Sequence, residues 1–304
     1  MLSQDVTRYL ELHRAMGFKF RIQGSLLHNF VAYAEPRGDV FVCTQRVLDW
    51  AAKAPSPPQR RDRLLTVRRF ALAMHAEDER HAIPPPDAFG RETFKRRTPY
   101  IYSPEDIARL LGAAGQLPPK NSIRPVTYST LFALLAVTGL RISEALALEL
   151  KDVTDDGLLI RATKFRKSRL VPLHETTHRA LDRYLARRAG LGSTDPAFFL
   201  SRFGTALPYS TVIEVFLKLV RSLGLHPGPG HRGPRLHQLR HSFAVRSLEQ
   251  SAGKPEAIAR HITALSTYLG HGHVSDTYWY LQATPLLMTQ IAAASEVLYR
   301  GEQT

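Results

Sequence analysis

The segment Thr138-Gly139-Leu140-Arg141-Ile142-Ser143-Glu144 sets an arginine and a carboxylate directly behind the apolar stretch 131–137. Around it the apolar spacing over 128–148 is that of a long buried helix. Two short β-like runs follow, 158–161 (Leu-Leu-Ile-Arg) and 169–172 (Arg-Leu-Val-Pro), with a basic connection between them. After these the helical pattern resumes to the end of the chain. A domain that is mainly α with a small β-sheet is the expectation.

Working towards the N-terminus, Ser103-Pro104-Glu105-Asp106 supplies an N-cap, a proline at N1 and acids in the first turn, with Ile107, Leu110 and Leu111 as the buried face. Ahead of it, Ile83-Pro84-Pro85-Pro86 and the charged stretch 91–97 read as a linker, because prolines cannot join a helix and there is little apolar surface to bury. Residues 1–80 read as helices with short breaks, the first interrupted at Gly17 and Gly24. Thr44 is the expected N-cap of a helix carrying Val47, Leu48 and Trp50. A third helix, after Pro55-Ser56-Pro57-Pro58, puts Leu64, Val67, Ala71 and Met74 on one stripe. Its other faces hold Arg60, Arg61, Arg63, Arg68 and Arg69 against Asp62 alone. Such a run suits either a solvated face or contact with phosphates, and Arg60, Arg61 and Arg68 are taken as candidate nucleic-acid contacts. The expected domains are a helical unit over 1–90, a linker over 91–100 and an α+β unit over 101–304.

The composition agrees with an anionic partner. The 304 residues hold 41 Lys plus Arg against 27 Asp plus Glu, a formal charge of +14. Residues 1–99 carry 17 basic and 11 acidic side chains and the remainder 24 and 16, so the excess is not one basic tail. A single cysteine, Cys43, excludes a disulfide framework and any multi-cysteine zinc module within one chain. No stretch approaches the ~18–20 uninterrupted apolar residues of a membrane helix. A cytoplasmic, nucleoid-associated protein is expected.

Four segments in order carry an unusual set of polar residues: 138–144, 163–169 (Thr-Lys-Phe-Arg-Lys-Ser-Arg), 237–241 (His-Gln-Leu-Arg-His), and Leu269-Gly270-His271 followed by 277–280 (Thr-Tyr-Trp-Tyr). Arg141 and Arg240 suit a double guanidinium fork around one phosphate. His237, three residues before Arg240, is expected on the same helix face.

These segments resemble the tyrosine recombinase (phage integrase) family, and the resemblance spans roughly 100–285. The pattern T-G-L-R-x-S-E is matched by Thr138 to Glu144. H-x-L-R-H is matched by His237 to His241. L-G-H with a tyrosine nine residues beyond the histidine is matched by His271 and Tyr280. Val171-Pro172-Leu173 anchors the family's β-hairpin, and counting back assigns its lysine to Lys164, with Lys167 as competitor.

The resemblance implies two domains, an N-terminal helical core-binding domain and a C-terminal catalytic domain. It implies a site-specific recombinase that cleaves and rejoins double-stranded DNA through a 3′-phosphotyrosyl intermediate, in integration, excision or transposition of a mobile element. No cofactor, metal or ATP is expected. Tyr280 would be the nucleophile and Lys164 the general acid. Arg141, Arg240 and His271 would stabilise charge, with His237 as base or hydrogen-bond partner. Lys167 and Arg169 are added as DNA contacts. Self-association on DNA as a synaptic tetramer is implied, with a second recombinase as an optional partner.

Other readings stand beside this one. Arg141 with Glu144 could be a surface ion pair contributing only ~0.2–0.5 kcal/mol. His271 and His273 with His261 could suggest a metal, though no carboxylate cluster lies nearby. Tyr278 and Tyr280, two residues apart on a helix, would point about 200° apart, so one alone can face the site. Trp279 and Tyr299 read as packing residues. The tail, with Leu286, Leu287, Met288, Ile291 and Leu298, is amphipathic enough to dock on a neighbour or on its own domain. A non-cutting DNA-binding accessory protein, a type IB topoisomerase-like relaxase and a metal-dependent nuclease are the alternatives.

Overall fold

The structure is a computed structural model that describes residues 1–90, 99–161, 168–225, 233–271, 273–278, 280 and 289, except 251–254. Lys164, Lys167, Trp279, Tyr299, the charged stretch 91–97 and the tail residues Leu286, Leu287, Met288, Ile291 and Leu298 lie outside the described residues. Contacts divide the chain into two units, Met1–Arg96 and Arg97–Thr304.

The first unit packs α1 (Leu2–Ala15), α2 (Arg21–Ala34), α3 (Thr44–Ala52) and α4 (Pro57–His75) around one core. Leu64, Val67, Ala71 and Met74 of α4 are buried, as their spacing requires, and Phe70 joins them. The Trp50 ring of α3 meets Phe30 of α2 edge-on at 5.4 Å and donates its Nε1–H to Asn29 Oδ1 at 3.1 Å, so its polar edge is satisfied at the rim of the core. Two expectations need correction. Gly17, with φ of 88°, does follow the end of α1, but Gly24 lies inside α2, where it faces Leu10. Its packing against Leu10 across α1 and α2 holds the helix through the glycine despite its poor propensity. Thr44 is the first residue of α3, and the cap is Cys43, which has extended dihedrals and makes no side-chain capping bond.

The second unit begins with α5 (Pro104–Ala114), closed by a capping box in which Ser103 and Asp106 bond reciprocally. The buried helix α6 (Arg124–Thr138) then stops short of the expected 148. Gly139 takes φ of 61°, where side chains are disfavoured, and the chain restarts as the short α7 (Ile142–Leu146). A Cβ at Gly139 would also lie 2.5 Å from Phe243, so the break is required both by the backbone and by the close approach of a neighbouring helix. The sheet is antiparallel in the order β1 (Val153–Thr154), β2 (Gly157–Ile160), β3 (Arg169–Val171). The two expected runs are β2 and β3, and β1 is an additional edge too short to show alternation. Leu158 opposite Val171 is buried while Leu170 is exposed, the period-2 pattern of a half-buried sheet.

Among the described residues, four helices follow, α8 (Glu175–Ala189), α9 (Tyr209–Ser222), α10 (Gln238–Gln250) and α11 (Pro255–Leu269), and then one turn, α12 (Ser275–Tyr278). α10 packs on α6 and α11, and Ser242 Oγ accepts the Tyr102 backbone N–H at 2.8 Å, fixing α10 to the start of the unit. His237 precedes α10, so its geometry with Arg240 is that of a turn entering the helix. Among the described residues no helix is long and apolar enough to cross a membrane.

Candidate active site

Three chain breaks bring the polar motifs together: the Gly139 stop after α6, the entry to α10, and the end of α11 at Leu269. Gly270 turns the last of these with φ of 67°. The final carbonyls of α11 lack intrahelical donors and carry the negative end of the helix dipole, so they attract cations. Arg240 Nη2 donates to Leu269 O at 2.7 Å and Arg141 Nη1 to the same oxygen at 3.4 Å, while Arg141 Nη2 donates to Gly270 O at 3.1 Å. Arg240 Nη1 bonds to Gly139 O at 2.8 Å, tying α10 to the break after α6.

Arg240 is 2% exposed. Burial and the neighbouring Arg141 lower its pKa to about 10, which leaves it charged at neutral pH. Arg141 stays partly accessible and is braced by Glu144 through its backbone N–H (3.0 Å) and Nη1 (2.8 Å). Arg169 adds two further bonds to that carboxylate, at 3.2 and 2.8 Å. Burial alone would raise the Glu144 pKa, but Arg169 and Arg141 outweigh it and the net shift is downward. The pair is therefore a buried ionic brace, and the surface-pair reading of Arg141 and Glu144 is corrected.

Tyr280 is buried beneath this arrangement, 3% exposed, and its phenol is hydrogen-bonded to Arg240. Burial raises its pKa although Arg240 and Arg141 pull it down, so the phenol is neutral at pH 7. The His271 ring stacks at 6.0 Å and the His241 ring sits at 5.4 Å, with His237 4.8 Å beyond His241. His271 Nδ1 meets Thr277 Oγ1 at 2.7 Å, which fixes the ring. Desolvation, reinforced by nearby cations, lowers His271 to about 4; desolvation and then His237 lower His241 to about 3. Both are neutral imidazoles at pH 7. His237 keeps solvent access at the rim, and what desolvation it has, with Arg240 and Arg141, lowers its pKa as well.

Arg141, His237, Arg240, His271 and Tyr280 thus share one site. Tyr278 is 54% exposed and Tyr280 3% exposed, so of the two tyrosines it is Tyr280 that faces the site, as their spacing requires. Arg169 was expected to contact DNA; its guanidinium is instead engaged by Glu144 and by Tyr268 O at 2.8 Å. In the other unit, Arg60 Nε bonds to Ala54 O at 2.9 Å, Arg68 to Pro84 O at 2.5 Å and Arg61 to Gly90 O at 3.4 Å, while Arg69 is exposed. Among the described residues no group of three or more His, Cys, Asp or Glu is placed to hold a metal; His261 pairs with Ser247 Oγ at 2.8 Å. Sequence reasoning missed Thr277 and the bracing role of Glu144. Only the i, i+3 spacing from Arg141 pointed to the latter.

Comparison with known proteins gives concordant results. The model of the phage integrase family matches residues 102–286. The chain is 41% identical over 298 residues to y4rB of Sinorhizobium fredii, provisionally named an integrase/recombinase, covering 94% of each chain. It is 31% identical to tyrosine recombinase XerD of Mycobacterium tuberculosis, covering 76% of this chain and 72% of that protein. Its fold is similar to XerH site-specific recombinase in a post-cleavage complex with palindromic difH substrate, with a TM-score of 0.66 at 18% identity, over 89% of this chain and 78% of that one.

Proposed function

Because the chain belongs to the phage integrase family of tyrosine recombinases, we propose that it cleaves and rejoins double-stranded DNA at specific sites through a 3′-phosphotyrosyl intermediate, serving the integration, excision or transposition of a mobile element. The observation that carries this reading is the convergence of Arg141 and Arg240 on one oxygen, Leu269 O, directly above a buried tyrosine bonded to Arg240. Two rigid cations that reach one carbonyl oxygen can reach an oxygen of one phosphate.

In the proposed reaction Tyr280 Oη attacks phosphorus and the bond to the 5′-oxygen breaks. The phenol, with an ordinary pKa of about 10, must lose its proton, and the departing alkoxide must gain one. His271 and His241, neutral and against the phenol ring, and His237 at the rim are the imidazoles able to take the phenol proton. Lys164 delivers a proton to the 5′-oxygen. Arg141 and Arg240 face the charge that grows on the non-bridging oxygens, and being held by backbone carbonyls they need no reorganisation as it grows. The phosphotyrosine conserves the energy of the broken diester, so a 5′-hydroxyl from another strand can religate it with no nucleotide consumed. The chain works on DNA as an assembly of several copies, a synaptic tetramer. The exposed Arg69 of α4 supplies a phosphate contact from the N-terminal unit.

The test uses DNA from the flanks of the element carrying a nick beside the candidate cleavage position, incubated with protein in EDTA and resolved on a denaturing gel. A slow-migrating protein–DNA adduct that disappears with Tyr280→Phe, with DNA binding retained, is the expected result. Binding without any adduct, even with a second recombinase added, would replace this reading with a non-cutting DNA-binding protein.

A further inference from the structure

Arg169 opens β3, five residues after Lys164 in the sequence, and its guanidinium reaches across to α7 and the end of α11. Nε donates to Tyr268 O at 2.8 Å, Nη1 to Glu144 Oε1 at 3.2 Å and Nη2 to Glu144 Oε2 at 2.8 Å. The side chain is 13% exposed and that of Glu144 6%. Each Glu144 oxygen accepts one bond from Arg169 and one from Arg141, which fills the roughly four acceptor positions of a carboxylate. A fork of this kind fixes orientation as well as charge. Gly270 is cut to fit: a Cβ there would lie 2.7 Å from Arg169 Nη1, so the glycine before His271 makes room for this guanidinium. One side chain therefore joins β3, to which it belongs, with the carboxylate that holds Arg141 and the turn from which His271 projects.

We propose that Arg169 is a positioning residue for the reaction: it orients Arg141 through Glu144 and docks β3 on the end of α11, setting Arg141 and His271 in register. The inference rests on the recombinase reading above and assigns Arg169 no contact with DNA. Without Arg169 half of a buried carboxylate's acceptor sites lose their donors, and Glu144 is free to turn and carry Arg141 with it. Displacement of a catalytic group by even 1 Å costs about 100-fold in rate.

The experiment compares wild type, Arg169→Ala and Arg169→Lys on the nicked DNA substrate, measuring the single-turnover rate of adduct formation at saturating DNA, the dissociation constant, and its salt dependence. The expected result is a rate about 100-fold lower for Arg169→Ala. Arg169→Lys keeps the charge but not the planar fork, so it recovers about a tenth of the wild-type rate. Both variants bind DNA as wild type does, with the same stoichiometry and the same salt slope. A variant that merely misfolds would lose binding stoichiometry and adduct endpoint together. A phosphate-contacting Arg169 would lower the magnitude of the salt slope by about 1 and weaken binding, leaving the saturated rate unchanged. Either of those results, or full recovery by Arg169→Lys, overturns the inference while wild-type cleavage stands. A wild-type chain that forms no adduct overturns the recombinase reading and this inference with it.

Discussion

At the ends of α3 and α11, arginines add side-chain donors to backbone carbonyls. After α3, Arg63 Nη1 bonds to Trp50 O at 3.1 Å with its guanidinium 4.9 Å over the indole ring, and Arg60 bonds to Ala54 O. After α11, Arg169, Arg141 and Arg240 take the carbonyls of Tyr268, Leu269 and Gly270. The chemistry is the same and the consequence differs. Arg60 and Arg63 are partly accessible, lie in the arginine-rich face of one helix and keep water as an alternative partner, so their bonds are of modest worth. Arg240 is almost wholly buried and the second set converges from three elements on one turn. Three guanidiniums meet there with one carboxylate, Glu144, so the turn carries net positive charge. Burial and convergence, more than residue type, separate a structural cap from a site.

Removing the buried cation tests this most severely. Arg240→Ala strips donors from Gly139 O, Leu269 O and the Tyr280 phenol at once, and the rate of adduct formation should fall roughly 10²–10³-fold, as when one preorganised donor is lost from a charge-stabilising site. The comparison breaks if single-turnover gels show a rate within tenfold of wild type.

The next largest effect concerns the turn that lets Arg240 reach its carbonyl. Gly139→Ala forces a side chain into a left-handed conformation and against Phe243, and it should destabilise the chain by about 2–4 kcal/mol in urea titrations. A loss under ~1 kcal/mol would mean that Phe243 moves aside and that close packing at this break is not what fixes the site.

Acid acts on the same region. With folded pKa values near 4 for His271 and near 3 for His241, against about 6.5 unfolded, the unfolded chain binds protons that the folded site refuses. The sign is therefore a loss of stability as pH falls below about 6.5, continuing to about 3, with no contribution from these groups above that window. His241→Gln, which removes one such group, should flatten the acid limb of urea midpoint against pH. Equal acid limbs in variant and wild type would show that the imidazoles are not desolvated as a group.

The difference between the two caps also explains which features could be read in the sequence. Motif residues sit at fixed short spacings: the Ser103–Asp106 capping box, the α4 stripe and the five site residues from Arg141 to Tyr280 follow from local order. The brace does not. Arg169 and Glu144 are 25 residues apart and meet only when β3 folds back on α7, so Arg169 looked like one more basic residue in a basic run. Gly24 looked like a helix break because propensity is local, whereas the packing of Leu10 against it is not. The apolar spacing over 128–148 read as one helix because Leu135 and Ala145 on either side of the break are both buried, and a turn inside a core keeps the helical pattern of its flanks. Thr277 left no periodic signal, since its bond to His271 crosses a turn.

The smallest expected effect lies in the N-terminal unit and separates two arginines nine residues apart on α4. Arg60 is committed to Ala54 O at the end of α3, whereas Arg69 is exposed. If commitment to a carbonyl decides role, Arg60→Gln costs about 0.5–1.5 kcal/mol of stability, the worth of one hydrogen bond, and leaves the salt dependence of DNA binding unchanged. Arg69→Gln does the reverse: it leaves urea midpoints alone, weakens binding about equally for every sequence, and lowers the salt slope by about 1 as one phosphate contact is lost. Paired titrations of the two variants between 50 and 200 mM salt, on the order of the range in which such slopes are measured, read both quantities. Equal slopes for Arg60→Gln and Arg69→Gln would mean that a partly exposed arginine leaves its carbonyl for a phosphate at little cost. The distinction between cap and contact would then hold only where burial is as complete as at Arg240.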